Sequence, residues 1–117
     1  MFAQSGDVVS DKRHAANMDK NQPGIVAALR KMGYSVELNH NDIVVGIRGA
    51  SYWYEIKDPS KAIKKDGTWR KGALRPSQVR LQAEFRGHYE IVTTLEQILA
   101  DIKKNELRVL DALIFDR

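Results

Sequence analysis

The first firm element along the chain is an amphipathic helix that follows the polar segment 1–20. Apolar residues recur there at the spacing of one helix face, at Ile25, Val26, Leu29 and Met32. Asn21 is a suitable N-cap, Pro23 is tolerated in a first helical turn, and Gly33 suits the residue after a helix. The pattern therefore predicts a helix over 22–32.

Alternating apolar and polar residues then predict three short strands. The strands cover 34–38, Asp42–Ile47 and 52–57. Arg48-Gly49 stands between the second and third strands and suits a two-residue hairpin turn. With the turn at this place, the register pairs Asp42 directly with Glu55.

The second half of the chain contains a long loop, a helix and one further strand. The loop covers 58–74 and is polar, with no element of its own predicted inside it. Pro76 is a favourable first helical residue, and Gly87 ends the helix that it begins. A fourth strand is predicted over 88–93.

A last helix completes the pattern and defines the expected architecture. The capping-box sequence Thr93-Thr-Leu-Glu96 opens this helix, and the apolar segment 106–115 either continues it or packs back. The predicted fold class is α/β with a mixed sheet flanked by helices, in the order αβββαβα. We expect one domain over 21–117, preceded by a tail or arm over 1–20.

Composition narrows the classes of protein. The chain has 117 residues, is 43% hydrophobic and contains no cysteine, which excludes disulfides, zinc–thiolate sites and cysteine nucleophiles. It has no apolar run near the ~20 residues of a membrane span and no apolar signal sequence at its start. We therefore expect a cytoplasmic protein without a membrane partner.

Charge is unevenly distributed along the chain. The net charge is +4, and segment 57–86 alone carries nine Lys or Arg against three Asp or Glu. Such a segment favours binding of a polyanion such as nucleic acid. The alternative is a solvated, lysine-rich surface loop.

The predicted hairpin brings chemically useful side chains together. Residues two apart on a strand share a face, so Glu55 and Lys57 would lie beside Asp42. Two carboxylates and an ammonium suit a divalent cation next to a group that positions water, as metal-dependent phosphodiester hydrolysis requires. The alternatives are an ordinary turn aspartate and a surface acid paired with lysine. Trp53 and Tyr54 are predicted to be core residues.

Five segments, in order, carry a family resemblance: Asn21-Gln22-Pro23-Gly24-Ile25-Val26-Ala27-Ala28-Leu29-Arg30, Asn41-Asp42-Ile43-Val44-Val45-Gly46, Glu55-Ile56-Lys57-Asp58, Leu74-Arg75-Pro76-Ser77-Gln78 and Gly87-His88-Tyr89-Glu90-Ile91-Val92. Together they resemble the PD-(D/E)XK nuclease superfamily, and more closely its VRR-NUC (virus-type replication-repair nuclease) branch in the stand-alone phage form. Each segment is weakly specific alone, and the specificity lies in their order. The resemblance implies the PD-(D/E)XK core, a restriction-endonuclease-like fold.

The resemblance also implies a metal site. Asp42, Glu55 and the backbone carbonyl of Ile56 would hold Mg²⁺, for which Mn²⁺ can substitute. Lys57 would position or activate the attacking water, or steady the scissile phosphate. Gln78 would hydrogen-bond a metal-bound water or a phosphate. Many relatives have a glutamate where Gln22 stands, and a neutral amide can orient water but adds no charge.

The implied function is that of a Mg²⁺-dependent, structure-selective DNA endonuclease similar to Holliday junction resolvases, of phage or prophage origin in a bacterial host. The alternatives are a flap or nicking nuclease and a non-catalytic DNA-binding module.

Candidate DNA contacts are Lys61, Lys64, Lys65, Trp69, Arg70, Lys71 and Arg75. Symmetric cleavage implies a homodimer, and apolarity suggests as interface residues Trp69, Leu107, Leu110, Ile114 and Phe115.

Overall fold

The computed structural model describes residues 20–39 and 42–115, with the backbone alone at Phe115. The predicted tail or arm therefore lies outside the described residues, apart from Lys20. The elements are α1 (Gln22–Lys31), β1 (Ser35–Asn39), β2 (Asp42–Ile47), β3 (Ala50–Ile56), α2 (Pro59–Ala62), α3 (Pro76–Glu84), β4 (Tyr89–Val92) and α4 (Leu95–Phe115).

The four strands form one mixed sheet in the order β1-β2-β3-β4. The first three strands are antiparallel neighbours, whereas β4 runs parallel to β3. A parallel neighbour needs a crossover connection, and here the connection contains α2 and α3. The expectation of an α/β fold with a mixed sheet and flanking helices is confirmed. None of the helices described is long and apolar enough to cross a membrane.

The β2–β3 hairpin has the predicted turn and register. Arg48 and Gly49 have φ angles of 48° and 81°, the left-handed values that a type I′ turn needs at both central positions. Asp42 pairs with Glu55 at the far end of the hairpin. The position of the turn therefore sets the register that places Asp42 opposite Glu55.

The hydrophobic core lies on one face of the sheet, beneath α1 and α4. Alternation along each strand sends every second side chain to this face, and the periodic apolar residues of the two helices cover it. Its fully buried members include Leu29, Ile43, Val45, Tyr52, Tyr54, Ile56, Ile98 and Ile102. Tyr54 is therefore a core residue, as predicted. The opposite face carries the residues at the alternate positions.

The connection over 58–74 has structure of its own, contrary to the sequence prediction. Asp58 Oδ1 accepts the Ser60 N–H at 3.0 Å and begins α2. A small hairpin follows, in which Ile63 bridges to Trp69. The reason is local: side chains such as Asp58 supply the turn hydrogen bonds that compact a polar segment.

The final helix starts one residue later than the capping-box prediction. Thr94 Oγ1 accepts the Gln97 N–H at 3.2 Å, and Gln97 Oε1 accepts the Thr93 N–H at 2.7 Å. Thr94 and Gln97 therefore cap the helix in place of Thr93 and Glu96. The helix runs on without a break to Phe115, so segment 106–115 continues it.

Candidate metal and nucleic-acid site

The two predicted carboxylates lie on the sheet face opposite the core. Asp42 and Glu55 are direct cross-strand partners, so their side chains project from the same face. Glu55 is only 5% exposed, and Asp42 is half-buried. A buried carboxylate requires compensating partners, and such a pair is a concentrated set of oxygen ligands.

Trp53 holds the carboxylate of Asp42 in place. The Trp53 indole Nε1–H donates a hydrogen bond of 2.9 Å to Asp42 Oδ2. The indole in turn meets Phe85 and Tyr89 edge-on, at ring-centroid separations of 5.3 and 4.7 Å. Because Phe85 and Tyr89 both contact this ring, Asp42 is oriented before anything binds to it.

Tyr89 is a further neighbour of the carboxylates. It pairs with Trp53 in the parallel β3–β4 ladder and is buried. Burial, followed by the charges of Glu55 and Asp42, raises the pKa of Tyr89 to about 12. The phenol therefore stays protonated at physiological pH and offers a neutral hydroxyl near the two carboxylates.

Lys57 lies where the alternation along β3 predicted it. Its Nζ is 3.8 Å from Glu55 Oε2, and its side chain is only 14% exposed. A mostly buried ammonium beside a buried carboxylate is a constrained charge pair, in contrast to an exposed surface pair. The predicted trio of Asp42, Glu55 and Lys57 therefore lies at one place in the structure.

The backbone of β3 places the Ile56 carbonyl on the side of β2. The N–H groups of Trp53 and Lys57 donate to β4, through the carbonyls of His88 and Val92. Successive residues of a strand direct their polar groups to opposite edges. The Ile56 carbonyl consequently points towards the strand that begins with Asp42.

The chemistry of these donors fits Mg²⁺. This ion prefers oxygen ligands, keeps several waters and often binds one or two carboxylates together with substrate phosphate. Asp42, Glu55 and the Ile56 carbonyl are oxygen donors of this kind. Within 20–39 and 42–115 there is no group of three or more His, Cys, Asp or Glu suited to a metal. Water and substrate oxygens would therefore complete the coordination.

Asn21 anchors the start of α1 to the end of the site strands. Asn21 is the N-cap residue of α1, as predicted, but its side chain makes no capping hydrogen bond. Instead Nδ2 donates to the carbonyl oxygens of Lys57 at 3.2 Å and Thr93 at 2.8 Å. Gln22 follows directly and is 1% exposed. Gln22, which was predicted to orient a water, is therefore buried near the end of β3.

Gln78 has a structural role in the first turn of α3. Its Oε1 accepts the Arg75 N–H at 2.9 Å, and its side chain is buried. This hydrogen bond satisfies one backbone donor at the helix start. The carbonyl oxygen of the amide is therefore engaged locally, and the amide nitrogen is the part of Gln78 suited to a phosphate or water contact.

The predicted DNA contacts are all exposed. They lie on α2, on the small hairpin and before α3: Lys61, Lys64, Lys65, Trp69, Arg70, Lys71 and Arg75. Trp69 also lines an open cleft of about 360 Å³ beside β4 and the start of α4. The basic side chains are thus available to solvent, and the segment that carries them is folded.

Sequence reasoning missed three residues that shape the site. Trp53 was expected in the core, yet it lies half-buried on the opposite face beside Asp42. Tyr89 and Asn21 were not singled out for these contacts. Strand alternation could have placed Trp53 on the face of Glu55, whereas Tyr89 and Asn21 reach the site through contacts distant in sequence.

Comparison with known proteins adds no further assignment, since no family model, curated protein or solved structure matches the chain.

Proposed function

We propose that this protein is a divalent-metal-dependent DNA endonuclease of the PD-(D/E)XK type, selective for branched DNA. The observation that carries the proposal is the pairing of Asp42 with the buried Glu55, with Lys57 Nζ 3.8 Å from the latter. A buried carboxylate paired with a half-buried one, beside an ammonium, is costly for folding alone. A role in phosphodiester hydrolysis would account for such a group.

In this mechanism Asp42, Glu55 and the Ile56 carbonyl would hold the metal. The chemistry supplied by bound Mg²⁺ is charge stabilisation on the phosphate and a lowered pKa of a coordinated water. Trp53 keeps the Asp42 carboxylate in one orientation through its 2.9 Å hydrogen bond. This preorganisation reduces the reordering needed when substrate binds.

Lys57 acts on the reacting groups themselves. Its ammonium donates hydrogen bonds to a phosphate oxygen or to the attacking water, and the burial of its side chain beside Glu55 limits where it can reach. The protonated Tyr89 hydroxyl adds a neutral donor on the same face. These groups lie on a rigid sheet, as a site that must position water requires.

DNA binding is assigned to the exposed basic segment 61–75. This segment begins four residues after Lys57, and backbone hydrogen bonds within it, such as that from the Arg70 N–H to the Ala62 carbonyl at 2.7 Å, give its backbone a defined conformation. Contacts of Lys and Arg with phosphates supply most sequence-independent affinity. Selectivity for a branched structure would come from the placement of these contacts and not from reading of bases.

The decisive experiment compares an end-labelled four-way junction with a linear duplex built from the same arm sequences. Each is incubated with Mg²⁺ or EDTA and with wild type, Glu55→Gln or Glu37→Gln. Glu37 is the matched control, because it is an exposed glutamate on the same sheet face, opposite Val44. We expect paired symmetric nicks in the junction, lost with EDTA and with Glu55→Gln and retained with Glu37→Gln.

The other outcomes separate the alternatives. Equal cutting of junction and duplex would remove the preference for branched DNA and leave a nicking or flap-type nuclease. DNA binding without cleavage under any divalent metal would overturn the enzymatic proposal and favour a DNA-binding module. Cleavage unaffected by Glu55→Gln would place the active site elsewhere.

A further inference from the structure

The long helix α4 changes character at its midpoint. Its first part packs on the sheet, where Ile98 and Ile102 are fully buried. From Lys103 to Ile114 no side chain is buried, although the backbone stays helical. An isolated helix of this length is marginal in water, because most helical stability comes from packing of an apolar face. We therefore expect the second part of α4 to be stabilised by packing against a partner.

The exposed part of α4 carries an apolar stripe. Leu107, Leu110 and Ile114 are 54%, 51% and 50% exposed. They stand three and four residues apart, which is the spacing of the contact positions in a coiled coil. On a helical projection this stripe lies on the side away from the buried Ile98 and Ile102. It is therefore separate from the core-facing surface of the same helix.

Charged residues border the stripe on one side. Lys104 lies one turn before Leu107, and Asp111 lies one turn after it. A shallow groove runs along this side, lined by Ala100, Lys103, Lys104, Leu107, Arg108 and Asp111. If a second helix lies antiparallel on the stripe, its own Asp111 faces Lys104, and its Lys104 faces Asp111. The surface is thus complementary to itself under a two-fold rotation, as an isologous contact requires.

We propose that this stripe is a dimer interface, in which the second part of α4 packs antiparallel against the same segment of a second copy of the chain. Leu107, Leu110 and Ile114 form the apolar centre. Two symmetric pairs of Lys104 with Asp111 set the antiparallel direction at its margin, as flanking charges do in coiled coils. The interface does not depend on the proposed nuclease activity, since it rests on apolar exposure and charge order alone.

The test measures molar mass by sedimentation equilibrium for wild type, Leu110→Glu and Val79→Glu. Val79 is the matched control, being an equally exposed apolar residue on α3. We expect a concentration-dependent dimer for wild type and Val79→Glu and a monomer for Leu110→Glu. Circular dichroism and thermal unfolding would show that Leu110→Glu retains the fold, because the side chain that it replaces is half exposed.

Charge reversal tests the direction of the helices. Lys104→Asp or Asp111→Lys alone should weaken dimerisation on the order of ten-fold, because two ion pairs become two repulsive pairs. The double variant, Lys104→Asp with Asp111→Lys, should restore it. A monomeric wild type, or a dimer insensitive to Leu110→Glu, would overturn the proposal. Failure of the double variant to rescue would overturn the antiparallel pairing.

Discussion

The indole of Trp53 and the carboxylate of Asp42 are joined by a hydrogen bond of 2.9 Å that crosses the β2–β3 ladder diagonally. Asp42 pairs directly with Glu55, so Trp53 is its diagonal neighbour two residues away on the same face. A diagonal contact of this kind is within reach of a long aromatic side chain. It makes Trp53 a reporter of whatever binds at Asp42.

Manganese should therefore quench the fluorescence of Trp53. The chain has two tryptophans, so Trp69→Phe leaves Trp53 as the single emitter. We expect a saturable quench of Trp53 emission on titration with paramagnetic Mn²⁺, without DNA present. Asp42→Asn should remove the saturable part by weakening the metal site, whereas Glu37→Gln should not. A quench equally strong in Asp42→Asn would place the metal away from this carboxylate.

Loss of the Lys57 ammonium should impair cleavage far more than DNA binding. A proton-transferring or water-positioning side chain typically contributes about 10²–10⁴-fold to rate. Lys57→Met should accordingly lower single-turnover cleavage by about 100-fold or more, with a small change in the dissociation constant for DNA. Lys31→Met, at an exposed lysine at the end of α1 and outside the basic segment, serves as the control and should cleave at the wild-type rate. Wild-type cleavage by Lys57→Met would exclude it from the reaction.

The exposed basic segment should determine the salt dependence of DNA binding. Each phosphate contact that is lost should reduce the slope of log K against log salt by about 0.9 on duplex DNA. Lys64→Ala and Arg70→Ala are suitable variants, and Lys31→Ala at the end of α1 is the control outside the segment. Fluorescence anisotropy over a salt series measures the slopes. If all three variants had the wild-type slope, the DNA-binding surface would lie in another part of the protein.

The network on the core face should matter for stability and not for metal binding. Tyr54 donates a 2.6 Å hydrogen bond to Asp101, which also pairs with His88. Burial, and then the Asp101 hydrogen bond, raises the pKa of Tyr54, so it remains a donor. Hydrogen bonds to charged groups contribute about 1.5–3 kcal/mol, so Tyr54→Phe should lower the unfolding free energy by about that amount.

Tyr52→Phe provides the comparison for this measurement. The Tyr52 hydroxyl accepts a longer, neutral hydrogen bond of 3.2 Å from Asn105. Its loss should cost less, about 0.5–1.5 kcal/mol. Urea unfolding of both variants gives the two values. A larger loss for Tyr52→Phe would contradict the importance assigned to the Asp101 contact.

Asp58 should stabilise the protein in a pH-dependent manner. Its hydrogen bonds from the Ser60 hydroxyl and backbone N–H lower the pKa of the Asp58 carboxyl. A lowered folded-state pKa gives stability that is present above the unfolded value of about 3.9. That stability is lost as the pH falls through the folded-state value.

Urea midpoints of wild type and Asp58→Ala should therefore differ at pH 7 and converge in acid. Asp58→Asn keeps a capping oxygen without a titrating group, so its midpoint should lie between the two at pH 7. A difference between wild type and Asp58→Ala that is unchanged in acid would show that charge on Asp58 plays no part.

Local sequence determined the four strands, the three longer helices and the first half of the site. Arg48-Gly49 fixed the turn, the turn fixed the register, and the register paired Asp42 with Glu55. These steps involve residues close along the chain and a strand period of two, so they need no knowledge of the remaining fold. The family assignment and the nuclease function remain predictions that the experiments above test.

Long-range packing decided the rest. The parallel docking of β4 brought Tyr89 beside the carboxylates, and the seating of α1 brought Asn21 to the carbonyls of Lys57 and Thr93. Both depend on loop closure and on burial of a shared core, which local propensity does not encode. The same limit applies to α4: its periodicity predicted a helix, but only the structure shows that the side chains of its second half are not buried.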